Sequence, residues 1–221
     1  MLGIVNTDDD EIQLSCYALE ALAQFNREKE LQTSRFMELK NKAECAFEMI
    51  DFAEDWNLSQ FWYDAETSQM LALEAIEQTA ANSRIGCISS PSAFIALSKM
   101  ECEDRKINIF EFDCRFNVFP GFQFYDYNQP LDFAPGMESS FDYLIVDPPF
   151  LSKECWLKTA ETVRFLSNEN TKICICTGKV MKTTILNELN CIPTKFEPKH
   201  QNGLANEFGC FTNYESIQFG K

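Results

Sequence analysis

Between residues 84 and 189 the chain alternates short runs that are apolar throughout with amphipathic ones. Residues 84–89 (RIGCIS), 107–113 (INIFEFD), 122–127 (FQFYDY), 141–150 (FDYLIVDPPF) and 172–178 (KICICTG) read as strands. Residues 92–100, 152–166 and 179–189 between them read as helices. Strands of this kind, interleaved with helices, predict a mostly parallel sheet covered on both faces, an α/β doubly wound domain. The end, TKFEPKH (194–200) and EFGCFTNYESI (207–217), reads as a closing antiparallel hairpin. Ahead of the first strand, Met70, Leu73 and Ile76 are spaced by three in a helix, with Asp64 or Thr67 as its N-cap. Residues 10–52 read as two helical stretches. Leu14, Tyr17, Ala18, Leu22 and Phe25 lie near one face of the first, and Phe36, Met37, Phe47 and Ile50 mark the second. The expected organisation is a helical extension over residues 1–55 and the sheet domain over 56–221.

Charge narrows the partners. The formal net charge is −15, and residues 1–55 carry 13 acids against 5 bases. Binding to nucleic acid draws most of its affinity from phosphate neutralisation, which this surface opposes. A basic protein partner suits it better, and a merely solvated acidic face explains the same composition. Neither end holds an apolar run long enough to span a bilayer, and the start lacks the basic and apolar regions of an export signal. The expected location is cytoplasmic. Ten cysteines include no CxxC pair, and His200 is the only histidine, so reduced, mostly buried thiols are expected and no metal. Cys174 and Cys176 alternate along one strand and face the same way.

The chemistry gathers just after the strands, where open α/β sheets bind their ligands. Neither GxGxxG nor GxxxxGK[ST] occurs. Asp113 follows the second strand, where a carboxylate accepts from ribose hydroxyls, and Asp126 and Asn128 follow the third. After the most apolar strand comes Asp147-Pro148-Pro149-Phe150. The prolines fix a stiff extended turn, so the Asp147 side chain and the carbonyl between the prolines face one small space as acceptors. Two acceptors beside an aromatic ring suit an amine held with one lone pair free. The structural alternative is a stiffened strand exit in which Asp147 caps the helix beginning near Ser152.

This turn resembles the [DN]PP[FYW] motif of S-adenosylmethionine-dependent amino methyltransferases. Together with LSQFWYDAET, FDYLIVDPPFLSKECW and NGLANEFGCFTNYES, it resembles the eukaryotic lysine methyltransferases of translation elongation factor 1-alpha, once described as N6-adenine-specific DNA methyltransferases. The resemblance spans residues 55–219. It implies a class I, Rossmann-like fold with a seven-stranded, mostly parallel sheet and an antiparallel terminal hairpin. The implied cofactor is S-adenosyl-L-methionine and the implied protein partner is the elongation factor, with no membrane or nucleic acid involved.

By the same resemblance Asp147, Pro148 and Phe150 hold and flank the accepting amine, with Pro149 on the substrate side. Gln60, Phe61, Trp62 and Tyr63 line the cofactor side, where Asp147 also borders it. Asp113 takes the ribose and Asp126 the adenine end. Ser89, Ser90 and Pro91 stand where a glycine-rich loop is usual, the nearest glycine being Gly86 inside the strand. Asn206, Glu207 and Phe208 shape the acceptor mouth. A lysine amine is mostly charged at neutral pH, and a nearby carboxylate raises its pKa, so Asp147 is expected to orient the neutral amine rather than simply deprotonate it. Two other functions stay open on the residues alone: an N6-adenine methyltransferase and a catalytically silent, protein-binding scaffold.

Overall fold

The structure, a computed structural model, describes residues 15–40, 47–100, 102, 104–216 and 218–220. Its contacts divide the chain into two compact units, residues 1–46 with 50–53, and residues 47–49 with 54–221. In the first unit a single 25-residue helix, α1 (Cys16–Lys40), spans both Tyr17 and Phe36. The two stretches read from the sequence are therefore continuous as far as Lys40. Phe47 and Ile50 lie beyond that helix, and Leu14 falls outside the described residues. Tyr17, Leu22 and Phe25 are exposed, whereas Phe36 is buried and packs edge-on against Phe52 at 5.4 Å. Among the described residues no helix is long and apolar enough to cross a membrane.

The second unit holds α2 (Ala65–Glu77), β1 (Arg84–Ile88), α3 (Pro91–Ser98), β2 (Lys106–Glu111), β3 (Phe122–Phe124) and β4 (Phe141–Val146), then α4 (Lys153–Leu166), β5 (Ser167–Gly178), α5 (Lys182–Leu189), β6 (Ile192–Pro193) and β7 (Phe208–Thr212). The strands form one seven-stranded sheet in the order β3-β2-β1-β4-β5-β7-β6. β3 through β5 are parallel, and β7 runs antiparallel between β5 and β6. This is the class I methyltransferase fold. The order reverses at β1, so the crevice for a ligand opens beyond the carboxyl ends of β1 and β4.

Why each run takes its place is visible in its burial. In β1 and β4 nearly every residue is buried, as a central strand covered on both faces requires. One face packs Phe110, Leu144, Val146, Ile173, Ile175 and Phe211 against Trp156, Val163 and Leu166 of α4 and Ile185 of α5. Gly86 lets β4 side chains approach: a Cβ there would stand 2.8 Å from Leu144 and 3.1 Å from Phe141.

One local expectation narrows and three change. The N-cap of α2 is Asp64, whose carboxylate accepts from the Thr67 N–H at 2.8 Å. Its deepest residues are Leu71, Ala72 and Ala75, while Met70, Leu73 and Ile76 are only half-buried at the edge of the apolar stripe. Residues 179–181 form a 3-10 turn before α5 begins. The regular hairpin partner of β7 is the two-residue β6; the expected segment pairs with β7 only at its start, where the Thr194 N–H donates to the Cys210 carbonyl at 2.9 Å and the Cys210 N–H to the Phe196 carbonyl at 3.3 Å, and it then leaves the sheet.

Cys87, Cys102, Cys114, Cys155, Cys174, Cys176, Cys191 and Cys210 are free thiols, all but Cys102 and Cys114 buried. Cys174, Cys176 and Cys210 bring their sulfurs within 4.8 Å of one another across β5 and β7, with Cys174 and Cys210 at 3.6 Å.

Candidate active site

At the carboxyl edge of β1, β2 and β4 lies a cavity of about 620 Å³. Its walls include Gln60, Phe61, Trp62, Tyr63, Ser89, Ser90, Pro91, Asp126, Asp147, Pro148, Pro149, Phe150, Asn206 and Phe208. Residues singled out from five separated stretches of sequence thus meet around one space. Asp113 and Glu207 do not line it.

Asp147 follows the last residue of β4, and its N–H donates to the Ile88 carbonyl at 3.0 Å, locking the start of the turn onto β1. It is not a helix cap. Ser152 caps α4 itself, its hydroxyl accepting from the Cys155 N–H at 3.2 Å. Burial pushes the Asp147 carboxyl up to about 8, the Tyr63 hydroxyl opposes the rise, and the neighbouring charge of Glu111 adds to it. Asp147 keeps a little accessible surface toward the cavity, so the apolar walls cause this rather than complete exclusion of water. Tyr63 is buried, and among the described residues its hydroxyl has no hydrogen-bond partner of regular geometry despite lying near Asp147. Burial and the Asp147 charge push the Tyr63 pKa well above its ordinary value.

The acid that faces the cavity from β2 is Glu111, the last residue of the strand. It is buried, and desolvation lifts its carboxyl to about 7, against backbone N–H groups of Asp113 and Phe112 that favour the charge. Asp113 is occupied elsewhere. It caps a 3-10 turn and accepts from Gln60 Nε2 at 2.9 Å and from Arg115 Nε at 2.8 Å. Burial would raise its pKa, but those hydrogen bonds from Arg115 and Gln60 outweigh it and hold the carboxyl below its usual value. The structure therefore gives Asp113 a tethering place, and Glu111 the position at the ligand space that was expected of Asp113.

The tether acts on the strap formed by residues 54–64. Gln60 Oε1 accepts from Arg115 at 3.0 Å and from the Asp55 N–H at 3.1 Å. Glu54 accepts from the Trp62 N–H at 2.8 Å and from Asn202 Nδ2 at 3.0 Å. The Tyr63 N–H donates to Ser92 Oγ at 3.2 Å. Tyr63 also forms an isolated antiparallel bridge with His200, flanked by Asp64 N–H to Lys199 carbonyl and Gln201 N–H to Trp62 carbonyl, each 2.9 Å. Strap and C-terminal segment thereby close the cavity from one side.

In the loop after β1, Ser89 takes a φ of 49°, a left-handed backbone that glycine more often supplies. Its N–H donates to the Phe110 carbonyl at 2.8 Å. Ser90 precedes Pro91 at the start of α3, and its buried hydroxyl has no partner among the described residues. Asp126 folds an Asx turn onto the Asn128 N–H at 2.8 Å, and Asn128 accepts from Lys158 at 2.9 Å. Phe150 meets Tyr127 edge-on at 5.8 Å. On the far side, Glu207 binds through its carbonyl to the Lys179 N–H, and Lys179 pairs with Glu197 at 2.6 Å.

Sequence reasoning missed Glu111, Phe112, Tyr127, Leu204 and His200 as cavity residues. Glu111 had a signal, since it shares a strand face with Asp113 two positions on. His200 had none: it sits in no motif, and only the bridge to Tyr63 places it.

A family described as "Probable N6-adenine methyltransferase" matches residues 54–216. "EEF1A lysine methyltransferase 1" of Homo sapiens is 41% identical over 211 residues, covering 95% of this chain and 95% of its own. The Mus musculus protein of the same name is 40% identical, again covering 95% of each. "Protein-lysine N-methyltransferase EFM5" of Saccharomyces cerevisiae is 38% identical over 91% of this chain and 92% of its own. Among solved structures, the branched-chain polyamine synthase C9 mutein from Thermus thermophilus superposes with a TM-score of 0.55 at 10% identity, covering 82% of this chain and 61% of that one, a likeness of fold.

Proposed function

The chain belongs to the family of EEF1A lysine methyltransferases, and from that premise we propose that it methylates a lysine side chain of translation elongation factor 1-alpha using S-adenosylmethionine. The observation that carries the reading is the rigid turn of Asp147, Pro148, Pro149 and Phe150, set into a cavity large enough for a nucleoside and an incoming side chain. The cofactor fits the donor set around it. Glu111 stands where a carboxylate accepts from ribose hydroxyls, and Phe112 offers a ring beside it. Asp126 and Asn128 supply polar groups for an adenine edge. The unpartnered Ser90 hydroxyl, at the N-terminus of α3, suits the amino-acid end.

When bound, the cofactor supplies a methyl group activated by a positively charged sulfur. The protein's task is then positioning and proton management. Near neutral pH, burial keeps Asp147 largely protonated, and an arriving ammonium favours its ionised form. The ionised carboxylate and the Pro148 carbonyl accept the amine's N–H bonds and leave its lone pair pointing into the cavity. The carboxylate also stabilises the positive charge that develops on nitrogen during attack. Phe150, Tyr127 and the strap aromatics Phe61 and Trp62 exclude water from that contact. A cytoplasmic site of action goes with such a substrate.

An adenine substrate is the second reading, favoured by the family description that residues 54–216 match. Against it stand the net charge of −15 and the pairing of Lys179, the first residue after β5, with Glu197 and Glu207. The test offers purified elongation factor and an adenine-containing oligonucleotide to the protein with labelled cofactor. Label should enter the protein and be confined to lysine; label in the oligonucleotide alone would select the second reading. Asp147→Ala should cut turnover by about 10³-fold or more with little change in cofactor affinity. Equal losses of both would make Asp147 a structural residue.

A further inference from the structure

We propose that His200 is the proton relay of the methylation site, taking the proton that the substrate ammonium must lose and passing it to solvent. The proposal rests on the lysine reading above and deepens it. His200 lines the cavity, and its ring is clasped between Tyr63, 4.8 Å away, and Phe208, 4.6 Å away. The antiparallel bridge to Tyr63 fixes its backbone as well. Neither ring nitrogen has a hydrogen-bond partner among the described residues, and the residue that carries them lines the cavity. Tyr63 spans the two groups, with its ring against the imidazole and its hydroxyl near Asp147.

Attack on the methyl group requires a neutral amine, and an ionised Asp147 to accept its N–H bonds. Protons must therefore leave a cavity in which the central carboxyl is itself reluctant to ionise. Tyr63 cannot carry them away as a base, because burial and Asp147 hold its hydroxyl protonated. His200 is half-buried and so touches both the cavity and solvent. Burial lowers its pKa, while the carboxylates of Glu54 and Asp64 pull it partly back, which leaves the ring neutral near pH 7 and able to accept.

The step balances. An N–H bond of the ammonium breaks, its electron pair stays on the amine nitrogen, and the proton binds an imidazole nitrogen. The resulting imidazolium then releases that proton to water or buffer at the mouth. Lysine and imidazole lie about four pH units apart in water. The ring therefore serves as a relay, drained by solvent on one side and by consumption of the neutral amine on the other, rather than as a store.

The chain's single histidine makes the test direct, because an untagged protein gives one imidazole resonance. That signal should titrate below the ordinary histidine range in the full chain, and it should shift when n-butylamine is added with S-adenosylhomocysteine. His200→Gln should lower kcat by about 10²-fold, flatten the acid limb of the pH–rate profile and leave cofactor affinity within about twofold. In His200→Ala, added imidazole should restore about a tenth of the lost rate. Unchanged kcat and pH profile in both variants, with an active wild type, would overturn the relay alone. A wild type that fails to methylate the elongation factor would overturn the lysine reading and the relay with it. Loss of cofactor affinity in step with kcat, without imidazole rescue, would make His200 a packing residue.

Discussion

Replacing Asp147 with asparagine should stabilise the protein increasingly as pH rises, although the residue lies at the centre of the proposed chemistry. Its carboxyl ionises at about 8 in the folded chain and near 3.9 in an unfolded one. Between those values the folded state binds more protons than the unfolded state, so stability falls as pH rises. This is the opposite of the usual salt-bridged aspartate. Over the interval from pH 5 to pH 8, linkage on the whole difference gives a loss of roughly 3–4 kcal/mol. Residual solvent access at the cavity argues for about half, or ~2 kcal/mol. For a protein of this size that is about 4–8 °C in Tm. Glu111, which ionises at about 7 with the same sign, lowers both proteins together. The variant-minus-wild-type difference therefore reports Asp147 together with its coupling to Glu111. Thermal unfolding followed by circular dichroism at fixed ionic strength would measure it. The difference in Tm should be small at pH 5 and should grow steadily to pH 8. Parallel curves would refute the reasoning and mean that Asp147 is solvated well enough to ionise at its ordinary pKa.

Two further changes probe the scaffold. Gln60→Ala removes a buried side chain that ties the strap to Asp113 and Arg115, so cofactor Kd in calorimetry should rise about tenfold, equivalent to ~1.4 kcal/mol, while α/β circular dichroism stays native. Gly121→Ala would place a Cβ 2.2 Å from the Ile107 carbonyl oxygen, where backbone must move; chemical denaturation should show about 1–3 kcal/mol of lost stability.

Most of the sheet was legible because its strands are central and buried on both faces, which leaves continuous apolar runs that no helix of that length would show. The turn at Asp147 was legible for a different reason: two prolines and an acid ending such a run are costly unless something uses them. The C-terminal region was harder. Residues 194–196 keep the expected pairing with Cys210 of β7, yet the Lys199 carbonyl accepts from the Asp64 N–H and the Gln201 N–H donates to the Trp62 carbonyl. Those partners are distant in sequence and leave no local pattern. Choosing between Glu111 and Asp113 was a question of where β2 stops. Both point the same way along an extended chain, and Gln60 and Arg115, one of them far upstream, settle which carboxylate is already occupied.

The bridge between Tyr63 and His200 also bears on how the protein is made. One side of the cavity is closed jointly by the strap ahead of the sheet and by a segment that leaves the ribosome much later. A nascent chain can assemble β1 through β5 and still have no closed binding site. Closing so long a loop comes late and at an entropic cost. Ligand occupancy then acts as a completion signal. Free cofactor at about a hundred times Kd adds roughly 2.7 kcal/mol to the finished chain, and a chain stopped short of His200 should gain less of it.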